Sequence, residues 1–218
     1  MHSNTSTGQR ILVWDLPVRV FHWTLALSFT GAYLTAESEY YRDIHVALGY
    51  VFAALLAFRL VWGLAGTRYA RFSTFLFSPG QIMAYLKSLA GPDPEHHVGH
   101  NPAGGVAVLL LLGLGALIAA SGLGLYLEIG GHDQEALFEE LHEVAANAML
   151  LLVFVHIAGV LVSSFLHHEN LLGSMFSGYK QGEAGQGIRD SWWWLGVLML
   201  LLMVGFLWFY PEWLNQGS

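Results

Sequence analysis

The chain has no cysteine. That absence removes disulfides, iron–sulfur clusters, thiolate zinc sites and covalently attached c-type haem from consideration. Charge is almost as scarce: only 11% of residues are charged, and the acidic excess leaves a formal net charge of -7, which argues against nucleic acid as a partner. No cleavable signal peptide is expected either, because the first ten residues are polar and the next apolar stretch is long enough to be a spanning helix.

What fills the 218 residues instead is apolar. Hydrophobic residues make up 55% of the chain, with 8 tryptophans and 9 tyrosines, and the mean hydropathy is +0.49. Long apolar runs flanked by interfacial aromatics describe a polytopic helical membrane protein. Five spans are expected, at about 18–35, 44–66, 103–127, 141–168 and 192–210. The predicted fold is an all-α membrane protein, a four-helix transmembrane bundle with a fifth transmembrane helix at the carboxyl end. Residues 1–180 form the four-helix unit of that prediction, and 181–218 a linker plus the fifth helix.

The connections carry their own signals. Met1–Arg10 reads as a polar, mobile tail, and Asp15-Leu16-Pro17 as a helix start. The stretch 72–91 reads as an amphipathic surface helix. Residues 91–105, GPDPEHHVGHNPAGG, lead into a third span rich in small residues, which favour close helix packing and would also admit a flat macrocycle. Residues 128–140 read as an acidic loop, with Glu128, Asp133, Glu135, Glu139 and Glu140 and no Lys or Arg.

With five spans, Arg10, Arg19, Arg59, Arg68, Arg71, Lys87, Lys180 and Arg189 fall on one side and only Arg42 on the other. The positive-inside bias then puts the amino terminus in the cytoplasm and the carboxyl terminus and acidic loop outside a bacterial inner membrane.

Histidines are the chemistry-bearing residues. His142 and His156 lie fourteen positions apart on the fourth span. At about 100° and about 1.5 Å per residue, they share a face about 21 Å apart, one near each membrane surface. His22 opens span one on the cytoplasmic side and His45 opens span two on the outer side. Two transverse pairs result, His22 with His156 and His45 with His142, the pattern two bis-imidazole haems require. A transmembrane zinc or copper site would need three or four ligands at one level. A proton relay gives no reason for the fourteen-residue spacing. Arg59, fourteen residues after His45, could neutralise a haem propionate or snorkel to lipid phosphate.

WDLPVRVFHW (14–23), HVALGY (45–50), FRLVWG (58–63), GHNPAGG (99–105), LHEVAANAMLLLVFVHIAGV (141–160) and HHENLLGSMFSGYK (167–180) follow one another in order. In this the chain resembles the bacterial cytochrome b561 family, which includes the b-type cytochrome subunits of membrane-bound nickel-iron hydrogenases. The resemblance implies two b haems ligated by His22, His45, His142 and His156. It also implies electron transfer between the membrane quinone pool and a periplasmic redox partner. The connection Glu37–Asp43 is shorter than in hydrogenase-type members, which favours a stand-alone or c-type-cytochrome-linked protein.

A quinone is expected near the cytoplasmic haem, beside His100 and Asn101 and within reach of His96 or His97, since histidine exchanges protons near neutral pH. A solvated loop is the alternative for those three histidines. His167 and His168 read as interfacial residues near the propionates, and His132 is given no role. The acidic loop would steer a basic c-type cytochrome. A cytochrome anchor for a hydrogenase or other periplasmic oxidoreductase, a superoxide:quinone oxidoreductase and a homo-oligomer stay open as alternatives.

Overall fold

A computed structural model describes residues 8–91 and 94–216, with only the backbone for Asp133 and 211–216. The expected tail over Met1–Thr7 and the Pro92–Asp93 step before span three lie outside the described residues. Seven helices are described: α1 (Leu16–Thr35), α2 (Arg42–Ala65), α3 (Pro79–Ser88), α4 (Pro102–Tyr126), α5 (His132–Leu166), α6 (Leu171–Ser177) and α7 (Trp193–Gln216). Two short strands, β1 (Gln9–Leu12) and β2 (Tyr179–Gly182), pair antiparallel, with Gln9 opposite Gly182 and Leu12 opposite Tyr179.

Local chemistry sets the helix starts. Asp15 caps α1 by accepting a hydrogen bond from the Val18 amide at 2.8 Å, with Pro17 in the first turn. Ser78 and Gln81 form a reciprocal capping box on α3. Asn101 caps α4 ahead of Pro102.

Four helices, all or part of α2, α4, α5 and α7, are long and apolar enough to cross a membrane. α1 is not among them. Its 20 residues could cover the hydrocarbon, but Arg19, His22, Thr24, Ser28, Thr30 and Thr35 lower its hydropathy. α1 and α2 pack as one antiparallel pair, α4 and α5 as another, and α2 bridges them against α4. Backbone contact of α5 with α1 and with α2 is sparse, so side chains rather than close-packed backbones face each other across that gap. Phe29, Phe52, Leu56, Ile118, Ala145 and Met149 form the core between the pairs. α7 adds Met199, Met203 and Phe206 against Phe21, Val51 and Leu55. Gly115 and Gly122 of α4 serve packing. A methyl at Gly115 would press on Leu56 and Phe52, and one at Gly122 would reach 2.9 Å from the His142 ring.

The fold is mostly helical, as expected, and a two-stranded ribbon joins the lead-in to α1 to the segment after α6; Val13 and Trp14 donate to the Gly178 carbonyl and Ile188 to that of Leu12. Backbone groups at a bundle end need such partners. For the same reason the expected mobile tail does not reach Gln9 and Arg10, which are strand residues. The acidic loop is largely helix: Gly130 and Gly131 turn at positive φ and α5 begins at His132. Glu135 near its start favours the positive end of the helix dipole. α5 thereby reaches 35 residues, about 52 Å at about 1.5 Å per residue. Its first turns stand clear of any bilayer that its apolar part occupies.

Candidate functional site

The histidines expected to pair lie together. At the end of the bundle where α2 and α5 begin, the far end, the His45 and His142 rings are 6.1 Å apart between centroids. At the other end, closed by β1, β2, α3 and α6, the His22 and His156 rings are 6.4 Å apart. Two imidazoles on one metal along a straight axis, with metal–nitrogen bonds of about 2.0 Å, have centroids about 6 Å apart. Both pairs fit that span, and each joins α5 to α1 or α2 across the gap where backbone contact is sparse. Among the described residues no three His, Asp or Glu side chains cluster as ligands of a single metal ion would.

The second ring nitrogens differ between the pairs. His45 Nδ1 lies 2.9 Å from the Ala32 carbonyl, and His142 Nδ1 lies 3.0 Å from the Ile118 carbonyl and 3.2 Å from Ser121 Oγ. A carbonyl only accepts, so Nδ1 carries the hydrogen and Nε2 keeps the lone pair that a metal needs. His22 Nδ1 is buried with no hydrogen-bond partner.

Arg59 sits in α2 at the level of His22 and His156. It is only 3% exposed, which leaves no path for snorkelling to lipid. Its guanidinium lies 4.9, 5.9 and 6.0 Å from the Phe72, Phe75 and Phe21 rings, and one terminal nitrogen has no hydrogen-bond partner. The buried Asp15 carboxylate acts on this cation, and the unpartnered nitrogen leaves room for a further anion.

Beyond that pair, a cavity of about 400 Å³ is lined by Arg68, Tyr69, Thr74, Phe77, His97, His100 and Gln186, among others. His100 packs against Trp14 at 4.8 Å and Phe75 at 4.5 Å, and its Nδ1 is buried without a partner. Burial, reinforced by Arg59, Lys180 and the neighbouring His156 and His22, pushes its pKa down to about 3. Asn101 is engaged elsewhere: its Oδ1 caps α4 and its Nδ2 donates to Ser163 Oγ at 3.3 Å. His97 is half-buried and burial lowers its pKa, while Glu95 opposes the shift. His96 is exposed at the surface, its ring 5.7 Å from that of His167. His168 is exposed, and His132 caps nothing but pairs with Glu135 at 3.0 Å. Of the five acidic residues expected to steer a partner, Glu128, Glu135, Glu139 and Glu140 are exposed; the Asp133 side chain lies outside the described residues.

Two features of this end escaped sequence reasoning. Asp15 is fully buried and accepts from Trp62 Nε1 at 3.0 Å and Thr67 Oγ1 at 2.6 Å as well as capping α1. Lys180 pairs with Glu169 at 2.9 Å with both side chains nearly buried. The cap at Asp15 was readable locally, but its partners lie 47 and 52 positions away. A charged pair in a charge-poor chain was the only available signal for Lys180.

The family profile described as prokaryotic cytochrome b561 matches residues 13–178. The chain is 26% identical to a probable Ni/Fe-hydrogenase B-type cytochrome subunit of Rhizobium leguminosarum bv. viciae, over 78% of this chain and 88% of that protein. It is 27% identical to the protein of the same description from Azotobacter vinelandii, over 78% and 88%, and 23% identical to that of Rhodobacter capsulatus, over 78% and 81%. No solved structure matches.

Proposed function

We propose a function from one premise: the chain belongs to the prokaryotic cytochrome b561 family. It is therefore a b-type cytochrome of the membrane that acts in electron transport, with haem b as its cofactor. On our reading it is a dihaem wire, five spans across a bacterial inner membrane. The amino terminus and the β1–β2 end are cytoplasmic, and the carboxyl terminus is periplasmic. One carrying observation supports this: two histidine pairs, at 6.4 and 6.1 Å, at opposite ends of one helix bundle.

Haem supplies reversible one-electron chemistry at each pair. The remaining work belongs to the chain. His22 with His156, and His45 with His142, would hold the two haems through their ring nitrogens, and the Ala32 and Ile118 carbonyls fix the tautomer of the outer two. Arg59 has the burial and the unpartnered nitrogen to receive a propionate. The cavity beside His97 and His100 is the place for a quinone headgroup. Reduction of a quinone by two electrons takes up two protons, and His100, which lines that cavity, carries a buried Nδ1 without a partner. Asn101 contributes by fixing the start of α4, and so the position of His100 next to it.

The periplasmic partner is a c-type cytochrome or an oxidoreductase. The names of the relatives favour a second version, in which the partner is a nickel-iron hydrogenase. The exposed acidic start of α5 suits a basic partner surface in either version.

The test is a pyridine haemochrome count on detergent-purified protein beside His142→Ala and His156→Ala. Two haems per chain, with each variant losing chiefly one, is the expected result. One haem or none in the unaltered protein would sink the wire.

A further inference from the structure

Helix α3 lies beside the bundle rather than beneath it. Its Tyr85 is fully buried, with the hydroxyl 3.5 Å from Ser163 Oγ of α5. The segment leading into it presses on α4, where a methyl added at Gly105 would meet the Phe75 carbonyl at 2.6 Å. Gly105 and Ser163 both lie inside the apolar stretches long enough to cross a membrane, about a turn from the helix ends. An element packed on the flank of spanning helices at that depth has protein on one side and the edge of the bilayer on the other. We propose that α3 is an in-plane helix seated in the headgroup layer of the membrane, and that the lipid it seats on is anionic. The inference needs only a bundle that spans a membrane, and stands whether or not that bundle holds two haems.

At about 100° per residue, the sequence of α3 falls into three sectors. Ile82 and Tyr85 turn toward the bundle and are covered there. Pro79, Met83 and Leu86 form an apolar stripe beside them, and Met83 and Leu86 are 54% and 46% exposed. Leu76, just ahead of the helix, is 62% exposed as well. Gln81, Ala84 and Ser88 make the third sector, small and polar. The stripe continues a surface that already faces lipid, because Leu161, Val162 and Phe165 around Ser163 are exposed on α5. A helix divided in this way lies in the interface plane with its apolar stripe at the acyl boundary.

Charge selects the lipid. Residues 67–91 hold Arg68, Arg71 and Lys87 and no Asp or Glu, and all three cations are exposed. Arg71 is steadied by the Gly66 carbonyl, to which its Nε donates at 2.8 Å. Among the described residues neither Arg71 nor Lys87 has an acidic partner. Glu95, whose amide donates to Ser88 Oγ at 3.2 Å, directs its carboxylate to His97 at 3.7 Å instead. A cluster of Lys and Arg at a membrane surface attracts anionic headgroups. Lys87, at the rim of the stripe, keeps its ammonium among them while its stem covers apolar surface. The seat also has a use. Thr74 and Phe77 line the cavity, and the Tyr85 and Phe77 rings stand 5.7 and 5.9 Å from that of His97, so lipid that fixes α3 fixes that wall.

With no native cysteine, single spin labels test the proposal on the full-length holoprotein. The vesicles are phosphatidylcholine alone or phosphatidylcholine mixed with phosphatidylglycerol. Labels at Met83→Cys and Leu86→Cys should be several-fold more accessible to oxygen, which dissolves in lipid, than to a water-soluble nickel chelate. Ala84→Cys, in the third sector, should show the reverse. Phosphatidylglycerol should draw the Met83→Cys label deeper, and Lys87→Gln or high salt should bring it back. Labels at all three positions equally open to the chelate would mean that α3 stands in water. Labels at Met83→Cys and Leu86→Cys closed to both reagents would mean that protein covers the stripe. Either result overturns the proposal, and a depth indifferent to phosphatidylglycerol overturns its anionic half. An unaltered haem spectrum shows that each variant is folded; should one of the two stripe variants lose haem, the other decides beside Ala84→Cys.

Discussion

Asp15 shows how much one buried carboxylate can organise. It caps α1 and binds Trp62 and Thr67 at the end of α2, so it locks together the helices that carry His22 and Arg59. Replacing it by alanine removes the cap, at about 1 kcal/mol, and leaves a buried indole N–H and a hydroxyl unpaired, at about 1–3 kcal/mol each. Asp15→Ala should therefore lower stability in detergent by about 3–7 kcal/mol, read as a fall in melting temperature. Asp15→Asn keeps an oxygen for the cap and should lose about half of that. His100 carries a pH prediction. Its pKa, pushed down to about 3 by burial first, keeps it neutral in the folded protein, whereas the unfolded chain protonates it below about 6.5. Stability is whole above that pH and is lost as pH falls toward 3, by up to about 1.4 kcal/mol per unit. His100→Phe, which suits the aromatic wall of Trp14 and Phe75, should flatten the decline in melting temperature between about pH 7 and 5 while reducing quinone turnover. An unchanged slope would mean that another group titrates. At this scale the four paired histidines were legible, because an imidazole in an apolar span has no bland role and fourteen residues is nearly four turns. The acceptors that distinguish the pairs were not, since the Ala32 and Ile118 carbonyls carry no residue-type signal.

At the scale of elements, periodicity and apolar length located α2, α4, most of α5 and α7, since each needs only its own residues to satisfy its backbone. What stayed hidden was non-local or governed by turns. β1 pairs with a strand some 170 positions away, and α5 begins nine residues before the apolar run because two glycines at positive φ release the chain into a helix. The consequence is a rigid acidic rod in place of a loop, with Glu135, Glu139 and Glu140 exposed on it. The triple change Glu135→Gln, Glu139→Gln and Glu140→Gln should slow reduction or oxidation by a basic c-type cytochrome several-fold at low salt and weaken the salt dependence, with haem content unchanged. No change at low salt would assign docking elsewhere. α7 raises the question of separability. It supplies no histidine, but Met199, Met203 and Phe206 cover Phe21, Val51 and Leu55. A chain ending before residue 192 should keep both haems and melt at a lower temperature, as a four-helix unit with an added fifth span would. Loss of haem from the shortened chain would make α7 integral to the cytochrome unit.

At the scale of the whole molecule, the wire depends on α1 crossing the membrane, and α1 is the helix whose hydropathy falls short. Its polarity has a structural use. Arg19 donates to the Phe176 carbonyl at 2.6 Å, and Thr24 and Ser28 are buried. Thr24 donates to the Val20 carbonyl at 2.6 Å, and His22 faces His156. The apolar residues of α1 need cover only what neighbouring helices leave open, so a window average undervalues the helix. If α1 spans, Glu37 and Glu139 lie on one side and Lys87 on the other, each exposed. The absence of cysteine makes this directly measurable, because a single introduced thiol is the only one to react. In intact spheroplasts an impermeant maleimide should label Glu37→Cys and Glu139→Cys, and should reach Lys87→Cys only after permeabilisation. Labelling of Lys87→Cys together with Glu37→Cys would mean that α1 does not cross with its partner. Labelling of Lys87→Cys alone would invert the molecule, putting the His45/His142 pair on the cytoplasmic side and the quinone cavity outside. The positive-inside count, with Arg42 the lone exception, makes the first result the expected one.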